Sequence, residues 1–306
     1  MQIKFVLNPV AGRGNSLKIL PRVKERLEQE GVQYEILKTK YPGNGAELAR
    51  RLEKSGDIIA AIGGDGTVRE VINGVRSPET PIGIIPAGMG NDLARSLGIP
   101  SEASKATQNL LNLNTSRVDL GSERGKLFNV MGVGFPAEVV GTINRYKNGF
   151  IKGSVIYLLG LLHSLTKLET YDLRLETDGE IRDLQANAVF VANSKFTGGG
   201  IKLIPHAGLT DGLLDVAVIS EAGRTELVLA LKRAYQGRHV DHPKIEFMRA
   251  KSIRIEAKSN LPKMFDGELE GVTPAELEIA PRARTIIVPP RTEEDIIKRE
   301  SHRIYR

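Results

Sequence analysis

The chain of 306 residues contains no cysteine and no tryptophan, and aromatic residues make up only 5% of it. Without cysteine there is no disulfide framework, no thiolate nucleophile and no thiolate metal site. That composition fits a reducing compartment. With so few rings the stacking surfaces of single-strand nucleic-acid binders are missing, so no nucleic-acid partner is expected. The longest apolar run, Val155 to Leu165, falls far short of the roughly 20 residues that cross a bilayer. The opening Met1–Pro9 does not read as a signal peptide, because its apolar run is short and Asn8-Pro9 ends it. No G-x-x-x-x-G-K-S/T occurs, so any phosphate site is of another kind than a Walker loop. The five histidines show no metal-ligand spacing.

What is present has the balance of an ordinary globular protein, 41% hydrophobic and 26% charged. Such a chain buries cores without covalent staples, and its length suggests two domains. The net charge of +6 is a modest surplus that attracts anionic lipid or polyphosphate. Most basic residues are scattered, as on a solvated surface; Lys298-Arg299 and the end His302-Arg303-Ile304-Tyr305-Arg306 are the exceptions.

The first third alternates strand and helix signals. Ile3–Leu7, Tyr34–Leu37, Asp57–Ile62 and Ile82–Ile85 are short runs rich in branched residues that read as buried strands. Helical spacing appears over Leu17–Leu27, closed by Gly31, and over Ala46–Lys54, Val68–Val75 and Asp92–Leu97. Pro21 inside the first of these predicts a kink or a late start. Repeated β-α units of this length imply a parallel sheet with helices on both faces. After about Arg117 the pattern changes to short strands at Leu173–Leu175, Ala188–Ala192, Leu213–Ile219, Ile253–Ile255, Leu277–Ile279 and Ile286–Val288, with a hairpin signal at Asp178-Gly179. This half reads as an antiparallel β-sandwich interrupted by helices near 155–166 and 225–236. The first of those helices is apolar nearly all round, which marks buried core. The division predicted is an α/β N-terminal domain over 1–117 and a β-rich domain over 118–290. The charged tail 291–306 is expected to be helical and to pack on the first domain.

Ligands in open parallel sheets bind at the carboxyl ends of the strands, and every glycine-rich segment of the first third lies at such an end. Gly63-Gly64-Asp65-Gly66-Thr67 joins a strand to a helix: its glycines admit close backbone approach, and the helix start offers free N–H groups to a phosphate. Asp65 sets a carboxylate among them, suited to orient a magnesium ion or a hydroxyl. A tight turn with an Asp cap is the plain alternative. Asn8-Pro9-Val10-Ala11-Gly12-Arg13-Gly14 is a second loop, with Arg13 available to phosphate oxygens. Pro86-Ala87-Gly88-Met89-Gly90-Asn91-Asp92 is a third. Singly each is weak; three on one edge of one sheet are a strong signal.

These segments together resemble the diacylglycerol kinase catalytic domain: Asn8-Pro9…Gly12, Gly63–Thr67, and Pro86…Gly88…Gly90-Asn91-Asp92-Leu93-Ala94-Arg95-Ser96-Leu97-Gly98-Ile99-Pro100. The resemblance continues, in order, through Asn129–Gly134, Gly198-Gly199-Gly200, Asp211-Gly212-Leu213-Leu214-Asp215 and Asp266-Gly267-Glu268. G-G-D-G-T alone is shared with NAD kinases and resembles a phosphofructokinase loop; the segment from Pro86 to Arg95 narrows the similarity to lipid and sphingoid-type kinases. The resemblance implies an NAD-kinase/phosphofructokinase-like parallel sheet followed by the β-sandwich domain. It implies transfer of the ATP γ-phosphoryl group to a lipid hydroxyl, with diacylglycerol giving phosphatidic acid, and with ATP and Mg²⁺ required. Asn8, Pro9, Val10, Ala11, Gly12, Arg13, Thr39, Gly63, Gly64, Asp65, Gly66, Thr67, Val68 and Arg69 would then hold ATP, with Met89, Asn91 and Asp92 in the same network. Glu268 matches the family's catalytic base, with Asp65 beside the reaction and in the magnesium network with Asp92. Asp211 matches a structural metal position completed by carbonyls near Gly208 and Leu213, a donor set suited to a hard cation.

Each assignment has a rival in the residues themselves. Glu268 after Asp266-Gly267, and Asp211 before Gly212, both also read as turn residues, and Asp119 carries no assigned role. Met89 stands where relatives carry a nucleotide-contacting threonine, and Pro136 stands where an aspartate is common. The alternatives carried are an NAD kinase-like enzyme, resting on Gly63–Thr67 alone, and an inactive lipid-binding protein of kinase ancestry. A cytoplasmic protein that meets a lipid substrate peripherally at the membrane surface is expected. Oligomeric state stays open, a homodimer included.

Overall fold

The structure, a computed structural model, describes residues 2–53, 57–146 and 155–290. The tail 291–306, and with it the expected helix and its docking, lies outside the described residues. In chain order, β1 (Ile3–Leu7) leads through a 3-10 turn at Ala11–Arg13 to α1 (Asn15–Gln29), followed by β2 (Tyr34–Lys38), α2 (Asn44–Leu52), β3 (Ile58–Gly63), α3 (Asp65–Gly74), β4 (Pro81–Pro86), α4 (Asp92–Ser96) and α5 (Ala103–Asn112). There follow β5 (Thr115–Glu123), β6 (Lys126–Phe128), β7 (Val130–Gly134), α6 (Phe135–Tyr146), α7 (Val155–Thr166), β8 (Tyr171–Thr177) and β9 (Glu180–Ala192). The chain then forms β10 (Leu214–Ser220), α8 (Arg224–Ala234), β11 (Ile245–Ala250), β12 (Ser252–Ala257), β13 (Pro262–Phe265), β14 (Glu268–Val272) and β15 (Ala275–Ile287).

The first strands pair in parallel in the order β4-β3-β1-β2, with Phe5 between Ile36 and Ala60 and with Ile59 opposite Ile82. Phe5, Leu7, Ile59, Ile62, Ile82, Ile84 and Ile85 are all buried, so these strands read as near-continuous apolar runs, as strands covered on both faces do. The chain moves from β1 outward to β2 and then back past β1 to β3. Right-handed crossovers in opposite directions put their helices on opposite faces, and the helices accordingly pack in two pairs, α1 with α5 and α2 with α3. That reversal makes the carboxyl ends of β1 and β3 the switch point of the sheet.

The second half is antiparallel, as its alternation implies: β13-β7-β9-β8-β12 pair side by side, and β10 joins β9 and β11. Asp178 and Gly179 close the β8–β9 hairpin with φ of 48° and 93°, the pair of positive angles that a two-residue turn of this hand requires. A second core lies here, with Phe128, Val133, Val189, Val191, Val216, Ile253 and Phe265 among its members.

Four features depart from the sequence reading. α1 starts at Asn15 rather than late, with Pro21 on its exposed side, where water can satisfy the carbonyl that proline leaves free. β9 runs from Glu180, not Ala188, because its first half is polar and solvent-facing and carries no apolar signal. The turn signal at Asp266-Gly267 does join two strands, β13 and β14, which the sequence reading did not mark as strands because β13 is only four residues long and β14 is exposed. Finally, Ile286 is not simply another antiparallel strand residue: β15 is one long strand whose end pairs in parallel with β4, Thr285 opposite Pro81 and Ile286 opposite Ile82. β15 also pairs with β12 and β5, so the strands of both halves form one hydrogen-bonded sheet. In the apolar α7, Leu165 is buried and Gly160 packs on Ile143, but Leu162 is 47% exposed, so this helix is only partly core.

Arg284 of β15 holds the end of α3. Its Nε donates to the Ile72 carbonyl (2.8 Å) and its Nη2 to that of Val75 (2.7 Å). These are carbonyls at the negative end of a helix, where a cation is favoured. Arg284→Ala is expected to lower the unfolding free energy by about 2 kcal/mol, since hydrogen bonds to charged groups are lost and the carbonyls stay buried. Urea denaturation checks this; an unchanged midpoint would contradict it.

Candidate active site

The three glycine loops meet at the switch point. The Asn8 N–H donates to the Ile62 carbonyl (3.1 Å), the Thr39 N–H to Leu7 (2.8 Å), and the Ala87 N–H to Gly63 (2.8 Å), so the strand ends stay in register beyond the sheet. Asn8 closes its own loop, its Oδ1 accepting from the Val10 N–H (3.1 Å) and its carbonyl from the Ser16 hydroxyl (2.6 Å). Gly12 has φ of +55°, and a Cβ there would run into the Ala87 carbonyl oxygen. Glycine is thus required at Gly12 for two reasons at once, conformation and close approach. Gly64 and Gly88 face each other so closely that a Cβ on Gly64 would sit 3.1 Å from the Gly88 Cα.

Asp65 ties the second loop to the third. As the first residue of α3 it accepts the Asn91 N–H at Oδ2 (2.7 Å) and the Asp92 N–H at Oδ1 (2.6 Å). Asn91 sits at φ of 53° and folds its side chain back on Gly88, accepting from its N–H (2.9 Å) and donating to its carbonyl (3.0 Å). Asp92 in turn accepts the Gly199 N–H (3.1 Å), which brings the Gly198-Gly199-Gly200 loop of the second half to the site. Burial raises the Asp65 carboxyl above its ordinary range, against the pull of its backbone donors. Burial, aided by the negative charge of Asp65, pushes Asp92 up to about 6. Two carboxyls this close, with Arg95 as the cation acting on Asp92, favour a positive charge beside them.

The second half contributes the β13–β14 hairpin. Asp266 at its tip has φ of 47°, and its buried carboxylate accepts the Val130 N–H (2.9 Å) and the Asn129 N–H (3.1 Å). Desolvation pushes Asp266 up to about 6, although Arg69 and the amide donors oppose the shift. Two residues on, Glu268 is 63% exposed, and its Oε1 hangs 3.3 Å from where a Cβ on Gly66 would lie. Folding therefore carries Glu268 across about 200 residues of chain to the start of α3, beside the Asp65 loop.

The sequence-predicted residues are placed as follows. Asn8 to Arg13, Gly63, Gly64, Asp65, Gly66, Met89, Asn91 and Asp92 line the three loops, with Thr39 at the end of β2 beside them; Arg13, Val10 and Met89 are exposed. Thr67 and Val68 are buried in α3, with the Thr67 side chain packed on Gly63. Arg69, expected at the nucleotide, has its guanidinium buried among the hairpin's carboxylates, 2.7 Å from Glu270 Oε1 and 3.5 Å from Asp266 Oδ2. Asp211, Gly208 and Leu213 do come together, the Asp211 side chain lying against Gly208 and its Oδ1 accepting the Leu213 N–H (3.3 Å). Nearby Asp119, which carried no role, holds the Gly212 N–H (2.8 Å) and the Arg282 N–H (2.7 Å). Asp266, Glu270 and Gly199 are participants the sequence reading did not assign. The period-two spacing of Glu268 and Glu270 is the signal that one strand face carries both.

A doubly wound parallel sheet with glycine loops at its switch point, faced by a carboxylate from an antiparallel half, defines an enzyme that handles phosphate groups. The family model for the diacylglycerol kinase catalytic domain matches residues 2–122, and that for the YegS C-terminal NAD kinase beta sandwich-like domain matches residues 129–288. A diacylglycerol kinase of Staphylococcus saprophyticus is 31% identical over 89% of this chain and 90% of its own length. One from Staphylococcus haemolyticus is 32% identical over 89% of this chain and 83% of its own. The crystal structure of a diacylglycerol kinase from Bacillus anthracis superposes with a TM-score of 0.74 at 26% identity, covering 94% of this chain and 97% of that one. The chain belongs to the diacylglycerol kinase family of lipid kinases, and it is a kinase.

Gly12→Ala tests the loop geometry. The added methyl strains a positive φ and meets the Ala87 carbonyl, so the first and third loops must part. The expected outcome is about a tenfold or greater loss of ATP affinity, since overpacking typically costs ~1–3 kcal/mol and about 1.4 kcal/mol is a factor of ten. Isothermal titration with ATP on the folded variant checks this; wild-type affinity would show that these loops do not form the nucleotide site.

Proposed function

We propose that this protein transfers the γ-phosphoryl group of ATP to the hydroxyl of a membrane lipid, with diacylglycerol as acceptor and phosphatidic acid as product. The observation that carries this reading is Glu268 above Gly66, a carboxylate of the second half set beside the glycine loops of the first. Phosphoryl transfer needs positioning and charge stabilisation more than covalent help. The N–H groups at the start of α3, after Gly63-Gly64, are suited to hold phosphates, with Arg13 of the first loop able to approach from its exposed position. Glu268 is exposed to the acceptor side and accepts the hydroxyl proton as the new P–O bond forms.

A divalent cation fits Asp65 and Asp92. Both carboxyls are raised by burial, and a cation beside them relieves that cost with hard oxygen ligands. Mg²⁺ held there would supply charge neutralisation on the transferred phosphates. Asp211, with the carbonyls near Gly208 and Leu213, is proposed as a second, structural cation position.

The acceptor lies in a bilayer, and among the described residues no helix is long and apolar enough to cross one. We therefore expect peripheral, reversible attachment driven in part by the +6 net charge. Vesicle flotation is expected to show binding to anionic vesicles that weakens with salt, since the screening length is about 8 Å at physiological ionic strength. Equal binding to neutral and anionic vesicles at every salt level would remove the electrostatic part.

The test of the activity is transfer of radiolabelled phosphate from ATP to mixed vesicles holding diacylglycerol, phosphatidylglycerol or a sphingoid base, with NAD as a separate acceptor and products identified by mass. Labelled phosphatidic acid is the expected product; label on NAD alone would overturn the reading. In the same assay Glu268→Gln is expected to lower kcat by about 10²–10⁴-fold, the usual loss for a general base, with ATP affinity nearly intact. Collapse of ATP affinity instead would make Glu268 a nucleotide or metal ligand.

A further inference from the structure

Arg69 occupies an unusual place for a cation. It lies one turn into α3, only 7% exposed, and its guanidinium leaves the helix to enter the β13–β14 hairpin. There Nη1 is 2.7 Å from Glu270 Oε1, 3.7 Å from Glu268 Oε2 and 3.3 Å from the Phe265 carbonyl, while Nε is 3.5 Å from Asp266 Oδ2. The guanidinium also lies over the Phe265 ring, 5.8 Å from its centroid. Glu268 and Glu270 alternate along β14, so the strand pleat turns both to one side, and the hairpin turn at Asp266 brings a third carboxylate to the same cation.

The charges around it are unequal. Lys126 Nζ also reaches Glu270, at 2.5 Å, so Arg69 and Lys126 face three carboxylates. Asp266 is fixed by the amides of Asn129 and Val130, and Glu270 by the two cations. Glu268 is the remaining member, the most exposed of the three and the longest-held from Arg69. An exposed glutamate samples several rotamers in water, and ordering it costs side-chain entropy. We propose that Arg69 is a positioning residue for Glu268, holding its carboxylate above the start of α3 where the acceptor hydroxyl must arrive, without touching the nucleotide. This rests on the reading of Glu268 as the proton acceptor.

The helix supplies the precision. Asp65 and Arg69 are four residues apart on α3, about 6 Å along its axis. The helix that opens with the glycine loop thus also carries the cation that locates the base, and one rigid element sets both ends of the reacting pair. Displacing a positioned group by even about 1 Å can cost a hundredfold in rate. Simple docking of the hairpin onto α3 is the competing role, and it requires no effect on turnover by folded protein.

The experiment compares wild type with R69Q, R69K, E268Q and the double variant R69Q/E268Q on diacylglycerol-containing vesicles, with folding checked by thermal unfolding. R69Q is expected to lower kcat about tenfold while KM for ATP changes by less than about twofold, the signature of groups that act as a unit. R69K keeps the charge without the planar fork and is expected to recover part of the loss. The double variant is expected to be no slower than E268Q. Should R69Q fail to fold, R69K carries the same comparison with and without E268Q. Wild-type kcat in folded R69Q, or a loss that multiplies that of E268Q, would overturn the positioning role while leaving the base assignment standing. Wild-type kcat in E268Q would overturn the base assignment, and the positioning role with it.

Discussion

The pairing of β15 with three strands along its length is the constraint on which the rest of the structure depends. Its first residues pair with β12, its middle and end with β5, and its last with β4, so thirteen residues run from the antiparallel half into the parallel sheet. The helix α3 is locked to this strand by Arg284, and the hairpin of β13 and β14 immediately precedes it in the chain. Ladder hydrogen bonds are short and directional. They leave little freedom for one half to slide on the other, and the hairpin tip consequently falls over the beginning of α3. A cleft built on a linker would have no such registration.

Within that frame the site is governed by carboxylates taken out of water. Asp65, Asp92 and Asp266 are all raised by burial, the latter two to about 6, and each is held by backbone N–H donors rather than by a dedicated salt bridge of short length. Amides give geometry without full charge compensation. Around Asp65 and Asp92 the compensation comes from backbone N–H donors, with Arg95 acting on Asp92, whereas the hairpin carries its own cations in Arg69 and Lys126. Buried charge of this kind is costly unless paired, and the two clusters meet that cost in different ways, one by an arginine from a neighbouring helix and one by backbone amides and raised carboxyls.

How much was legible beforehand follows from the range of the interactions involved. The buried strands Ile3–Leu7, Ile58–Gly63 and Pro81–Pro86 and the loops that end them are local events: a run of branched apolar residues, a glycine where φ turns positive, an aspartate at a helix start. Their periodicity and turn chemistry are written in consecutive residues, and so the α/β half, the antiparallel half and the glycine loops could all be read from the chain. The strands β13 and β14 were hard to read because β13 is only four residues long and β14 is short, exposed and at the sheet edge, where apolar alternation has no reason to appear.

Partners across long stretches of chain leave no such trace. Arg69 follows a glycine-rich motif and so reads as a phosphate ligand, and residue order gives no sign that it also meets Glu270, 201 positions later, on a hairpin that folding brings to α3. The closure of Asp92 onto Gly199, and the merging of β15 with β4, are likewise products of packing. Residue order specifies local conformation through sterics and propensity, and hence the elements and their loops. Which side chains finally share a charge is settled only when the elements are stacked, because burial and distance, on which electrostatic energies depend, do not exist before the fold does.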